Sequence, residues 1–218
     1  MTRRARYARL GEASPSVREL WIVLHGYRQL AGRFIRRFDA VAAPDRMVVA
    51  PEALNRFYLD DGPGRHGPES RVGATWMTRE DRESEILDYV DYLDRLHHHL
   101  RGSLARDVRT VGLGFSQGTH TLARWAALGR ARLDTLIFWG EVLPPDLDLD
   151  AARAGFGDAR LLSVQGREDG HLTPALLERQ ERQMSTLGRS LPVHWHPGGH
   201  RLERHALERV VDLLAGAG

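Results

Sequence analysis

The 218-residue chain contains no cysteine and no lysine; all 31 of its positive side chains are arginine. Without cysteine there is no disulfide, no thiolate zinc site, no iron–sulfur ligation and no cysteine nucleophile. Long apolar runs are missing too. The longest stretch free of charged residues, Thr110 to Ala123, is 14 residues long and holds Gly, Ser, Gln and His, so no membrane span is expected. Nor does charge of one sign prevail: 29 acids offset the arginines to a formal +2. The arginines are scattered among those acids and form no basic stripe, which argues against a nucleic-acid partner. Met1 to Leu10 carries Arg3, Arg4, Arg6 and Arg9 in the manner of a signal peptide. No apolar segment of about seven residues follows it, and a cytoplasmic location is the expectation.

What is present is the alternation of short apolar runs with longer helix-period segments that marks a parallel sheet wrapped by crossover helices. The runs are Leu20 to Leu24, Met47 to Ala50, Val111 to Phe115, Leu136 to Trp139 and Leu161 to Val164. Each reads as a strand buried on both faces. Pro192 to Trp195 reads as a last strand and Arg4 to Leu10 as an edge strand. The clearest helix opens at Thr78, with Asp81 three residues on in a near capping box, and carries an apolar stripe to about Arg101. Further helices are expected at Leu30 to Ala42, Gln117 to Leu128, Ala175 to Leu187 and Leu202 to Leu214. Glu52 to Met77 and Glu141 to Asp158 are longer than ordinary connections, which makes them candidate pocket walls. Residues 1–218 read as one α/β domain, a mostly parallel central sheet with helices on both faces and no room for a cap domain.

Gly112-Leu113-Gly114-Phe115-Ser116-Gln117-Gly118 places Gly-x-Ser-x-Gly between a buried strand and a helix. That pattern alone is a weak signal, but this context is the one a nucleophile elbow needs. A serine hydroxyl requires a base to take its proton, and the base requires a third group to hold its tautomer. In such hydrolases the order is serine, acid, histidine. The loop after Leu161 to Val164 offers Gly166-Arg167-Glu168-Asp169-Gly170, and the loop after the last strand offers Pro197-Gly198-Gly199-His200. Both lie at carboxyl ends of strands, where open parallel sheets place their sites. Leu24-His25-Gly26-Tyr27, after the first strong strand, supplies a turn whose Tyr27 amide can join that of Gln117 in an oxyanion hole.

Leu-His-Gly-Tyr, Gly-Phe-Ser-Gln-Gly, Gly-Arg-Glu-Asp and Gly-Gly-His, in this order and spacing, resemble the α/β-hydrolase superfamily. The resemblance is closest to its small carboxylesterase and lysophospholipase or acyl-protein-thioesterase branch, and runs from about Val17 to Leu214. It implies cofactor-free serine esterase action on a small-molecule ester, with Ser116, Asp169 and His200 as triad and the Tyr27 and Gln117 amides as oxyanion hole. Arg28 stands where this branch often has a second glycine, which points to a narrower or positively charged entrance.

Each residue has a rival reading. Ser116 suits a helix N-cap. Glu141 and Glu168 compete with Asp169. Among the histidines, His25 and His120 read as packing beneath the site, and His171 lies too close in sequence to Asp169. His194, His196 and His200 share a strand face in a weak metal pattern, so the reading carries no metal. Trp76 and Met77, with Phe57 and Tyr58, either wall an apolar pocket or anchor their loop to the core. A long-chain thioesterase or lysophospholipase is the nearest alternative function; a non-catalytic binding protein on the same fold is the alternative of another class. A homodimer is left open.

Overall fold

The computed structural model describes residues 4–59 and 66–216. Seven strands form one sheet in the order β1-β3-β2-β6-β7-β8-β9. They are β1 (Tyr7–Leu10), β2 (Glu19–Leu24), β3 (Arg46–Pro51), β6 (Arg109–Phe115), β7 (Thr135–Trp139), β8 (Arg160–Gly166) and β9 (Val193–His196). Only β1, at the edge, is antiparallel to its neighbour. The helices are α1 (Ala31–Phe34), α2 (Arg82–Arg101), α3 (Gln117–Leu128), α4 (Leu149–Phe156), α5 (Pro174–Leu187) and α6 (Arg204–Ala215).

β2 shows why the central strands read as unbroken apolar runs. Leu20, Ile22 and Leu24 join one core layer, under α2, α3, α4 and α5. Trp21 and Val23 join the other, under α1 and α6. Both faces are covered, so both sets of alternate positions are apolar. The register then gathers the carboxyl ends of the strands: Leu24 pairs with Gly114, Phe115 with Trp139 and Gly166 with His196. Every loop singled out by the sequence leaves the sheet at this edge. Among the described residues no helix is long and apolar enough to cross a membrane.

Four expectations are corrected. The stretch from Glu52 to Met77 holds a two-stranded hairpin, β4 (Asn55–Tyr58) with β5 (Val72–Thr75). That from Glu141 to Asp158 holds α4, whose amides at Asp150 and Ala151 donate to the Asp148 carboxylate. Leu30 to Ala42 is not one helix but α1 followed by a 3-10 turn, Ile35–Phe38, in keeping with Gly32 and the lack of a capping side chain at Leu30. The capping box at Thr78 does not form. α2 begins at Arg82 and Asp81 makes no side-chain cap, because the carboxylate of Glu85 reaches back to the Thr78 amide and hydroxyl.

Four buried or half-buried imidazoles should make the stability of this core depend on pH. Burial, with the Arg124 charge beside it, pulls His120 of α3 from its ordinary 6.5 down to about 4. Burial lowers His25, His97 and His196 as well. As pH falls through 6.5 the unfolded chain takes up a proton that folded His120 refuses until about 4. Stability is therefore lost progressively across that window, by roughly 3 kcal/mol for a shift of this size. Melting temperatures recorded from pH 7 to pH 4 should fall steeply, and His120→Asn should flatten the slope; an unchanged slope in the variant would rule out His120 as its source.

Candidate active site

Ser116 sits between β6 and α3 at φ +54°, one of two non-glycine residues with positive φ among the described residues; the other is Arg28, at +68°. Strain of this kind costs of order 1–3 kcal/mol and gathers at functional sites. The flanking glycines are explained by close approach. A Cβ on Gly114 would stand 2.2 Å from the Gly118 carbonyl oxygen, and one on Gly118 2.2 Å from that of Leu24. The elbow is thus wedged against the end of β2, and neither position has room for a side chain. Ser116 begins α3 but makes no side-chain cap bond. Its Oγ lies 2.9 Å from His200 Nε2.

On the far side of the imidazole, Nδ1 lies 2.7 Å from Asp169 Oδ2. Asp169 is buried, and its other oxygen, Oδ1, accepts from the His171 amide at 2.9 Å. The two loops that meet here are stitched together directly. The Arg167 amide donates to His196 O and the Glu168 amide to Gly198 O. A Cβ on Gly166 would fall 2.3 Å from Gly198 O, so glycine at the end of β8 is what lets the histidine loop come down on the acid. The His200 ring lies between those of Phe115 and His171, at centroid distances of 5.2 and 4.6 Å. From below, Trp139 Nε1 donates to Arg201 O at 3.1 Å.

Glu141 and His25 bond other partners. Glu141 Oε1 accepts from the Val142 amide beside it, and burial raises its carboxyl above the ordinary range. His25 is fully buried under the site. Its Nδ1 meets Gly26 O and its Nε2 takes the Ala53 amide, a bonding pattern that uses both ring nitrogens for packing. His194, His196 and His200 do not gather as a metal set. The donor atoms of Asp169, His171 and His200 come within 4.8 Å of one another, but Asp169 and His200 are already joined to each other and, through His200, to Ser116.

The turn after β2 runs from Gly26 to Gln29, closed by the Gln29 amide on Gly26 O and by Gln29 Oε1 on the Gly26 amide. Arg28 occupies its third position, where a positive φ normally selects glycine. The turn is strapped to β5: Arg28 N donates to Ala74 O and Ala74 N to Gln29 O. Among the described residues the Tyr27 and Gln117 amides have no acceptor; for Gln117 that follows from its place at the start of α3, which leaves the first N–H groups free. The side chain of Gln117 is a clamp. Its Nε2 donates to Thr75 Oγ1 and Met77 O, and its Oε1 accepts from the Trp76 amide. Truncating it would loosen the loop that carries this turn.

The pocket wall is also placed differently from the sequence reading. A cavity of about 170 Å³ lies against Ser116 and His200, walled by Tyr27, Gln29, Arg37, Phe115 and Arg201. Neither Trp76 nor Met77 lines it. Trp76 is 1% exposed, its indole donates to His25 O, and its ring packs on Tyr89; it anchors the loop. Met77 lies beneath, its sulfur 3.7 Å from an Arg124 nitrogen. Phe57 reaches the site only indirectly, stacked on Tyr27 at 5.3 Å. Arg37 was not foreseen, since nothing in a 3-10 turn of sequence Ile-Arg-Arg-Phe marks which arginine faces the serine.

No protein-family model matches the chain, and no curated protein matches it in sequence. Solved structures do match. A carboxylesterase from Mesorhizobium loti superposes with a TM-score of 0.71 at 19% identity, covering 97% of this chain and 95% of its own. Esterase PE8 gives 0.67 at 22% identity, covering 97% and 98%. Acyl-protein thioesterase 2 of Zea mays gives 0.68 at 14%, covering 98% and 99%. The sheet order, the helices on both faces and these likenesses give the chain the α/β-hydrolase fold, with no cap domain among the described residues.

Proposed function

We propose that the chain is a serine hydrolase that cleaves small carboxylic esters through an acyl-enzyme. The observation that carries this reading is the unbroken bonding from Ser116 Oγ through His200 to buried Asp169, at an elbow facing two amides without acceptors. His200 Nε2 takes the hydroxyl proton as Oγ bonds to the ester carbonyl carbon. The Tyr27 and Gln117 amides hold the oxyanion, and Asp169 keeps the Nδ1 proton in place and balances the imidazolium. The C–O ester bond breaks, and His200 returns its proton to the departing alkoxide. Water then repeats the sequence on the acyl-serine, releasing the acid and restoring Ser116. Apart from substrate and water, the scheme uses only the chain's own groups.

A para-nitrophenyl ester series from acetyl to dodecanoyl tests this. A burst of about one nitrophenolate per chain is expected, since acyl-enzyme formation precedes its hydrolysis. Turnover should peak between acetyl and butyryl, because a cavity of about 170 Å³ is worth roughly six waters of space. A maximum at dodecanoyl would favour long-chain thioesterase or lysophospholipase action instead. Binding without burst or turnover would point to a non-catalytic protein on this fold.

A further inference from the structure

The hollow beside Ser116 is cationic and free of carboxylates. Arg37 and Arg201 wall it. A second hollow of about 230 Å³ shares Gln29 and Arg37 with the first and adds Arg28 and Arg33. No carboxylate lines either. Several arginines elsewhere sit on acids, Arg46 and Arg109 on Glu19, Arg6 and Arg56 on Glu52, Arg124 on Asp146, and others bond backbone carbonyls, as Arg101 and Arg189 do. Arg28, Arg33 and Arg37 have no such partner among the described residues, and Arg201 alone of the four is paired, to Glu203 at 2.5 Å.

This clustering is held against local cost. Arg33 and Arg37 are four residues apart across α1 and the 3-10 turn, a repulsive spacing for like charges. Arg28 carries its charge at a φ of +68°, where glycine would be unstrained. What sets Arg28, Arg33 and Arg37 apart is their place, three guanidiniums without an acid partner among the described residues gathered at the mouth beside Ser116. A guanidinium fork matches a carboxylate or phosphate.

Resting on the ester-hydrolase reading, we propose that the substrate is a short ester bearing an anionic group, carboxylate or phosphate, close to the scissile carbonyl. Arg37 receives that group, with Arg28 and Arg33 extending the positive field toward solvent. The anion belongs either to the acyl part or to the alcohol part, and two pairs of esters separate these. Para-nitrophenyl hydrogen succinate against para-nitrophenyl pentanoate places it on the acyl part. Acetoxybenzoate against its methyl ester places it on the leaving group.

After subtraction of spontaneous hydrolysis, kcat/KM for the anionic member of one pair should exceed that of its neutral partner by about tenfold at low salt. The ratio should shrink toward one near 1 M salt, as expected of a screened interaction. Arg33→Gln with Arg37→Gln should lower the ratio about tenfold, and the exposed side chains make folding of this variant straightforward to confirm by its melting curve. Arg106→Gln, at the opposite edge of the sheet before β6, should leave the ratio as it is. A ratio of one or below in both pairs, or a ratio untouched by the double substitution, would overturn the proposal while neutral-ester turnover left the hydrolase reading standing. Loss of turnover on every ester would remove the hydrolase reading and the proposal with it. Should the double variant not fold, the salt dependence of the unaltered chain decides.

Discussion

Ser116→Ala should lower kcat for an activated ester by about 10⁵-fold while leaving the melting temperature nearly unchanged. On the proposed mechanism the size follows from removing the nucleophile of a group that acts as a unit, where losing one member costs nearly as much as losing all. The stability half of the result discriminates between the two roles open to this serine. A capping hydroxyl replaced by alanine costs about 1 kcal/mol. Here Ser116 makes no side-chain cap bond, and its backbone amide, which does hold the elbow by donating to Trp139 O, survives the substitution. The partner of its Oγ is His200 Nε2, so what alanine removes is a contact with the imidazole and not one with the helix. Labelling by a fluorophosphonate probe should disappear in the same variant. Retained turnover would place the nucleophile elsewhere; a large loss of stability with activity intact would restore the capping role.

The elbow was legible because its constraints are local. Gly114 and Gly118 face backbone atoms within a few residues or on the adjoining strand, and a buried strand followed by helix periodicity announces itself in sequence. The same holds for the central strands, whose burial on both faces leaves nothing but apolar residues to read. What escaped were features settled by long-range pairing. β4 and β5, Asn-Arg-Phe-Tyr and Val-Gly-Ala-Thr, have weak alternation of their own and are shaped by the turn after β2. A Cβ on Gly73 would meet Arg28 O at 2.6 Å, a requirement invisible without the fold. The Gln117 clamp spans 40 residues or more to Thr75, Trp76 and Met77. Thr78 shows the converse: a local capping pattern was present, but Glu85, one turn further on, took its donors. Arg37, in the 3-10 turn after α1, shares a cavity with Ser116, a neighbourhood set by the fold and not by its local sequence.

Asp169→Asn should cost about 10⁴-fold in kcat, and Glu141→Gln no more than about tenfold. The asparagine keeps the shape of the side chain and the bond from the His171 amide to Oδ1, but offers His200 an N–H2 or a neutral oxygen in place of a carboxylate. An amide nitrogen facing Nδ1 selects the tautomer with its proton on Nε2, the nitrogen 2.9 Å from Ser116 Oγ. The base is then blocked on the side where it must accept, the origin of losses of this size in other serine hydrolases. Glu141 is close enough for its charge to be felt at His200, but its carboxylate is turned to the Val142 amide and bonds no imidazole nitrogen. Neutralising it alters the field around the triad, not the tautomer within it. Steady-state kinetics on the two variants separate the acids: a collapse at Glu141→Gln with turnover preserved at Asp169→Asn would reverse the assignment. Similar small losses at both would mean that His200 is held by its loop alone, by the stitching of Arg167 and Glu168 to His196 and Gly198.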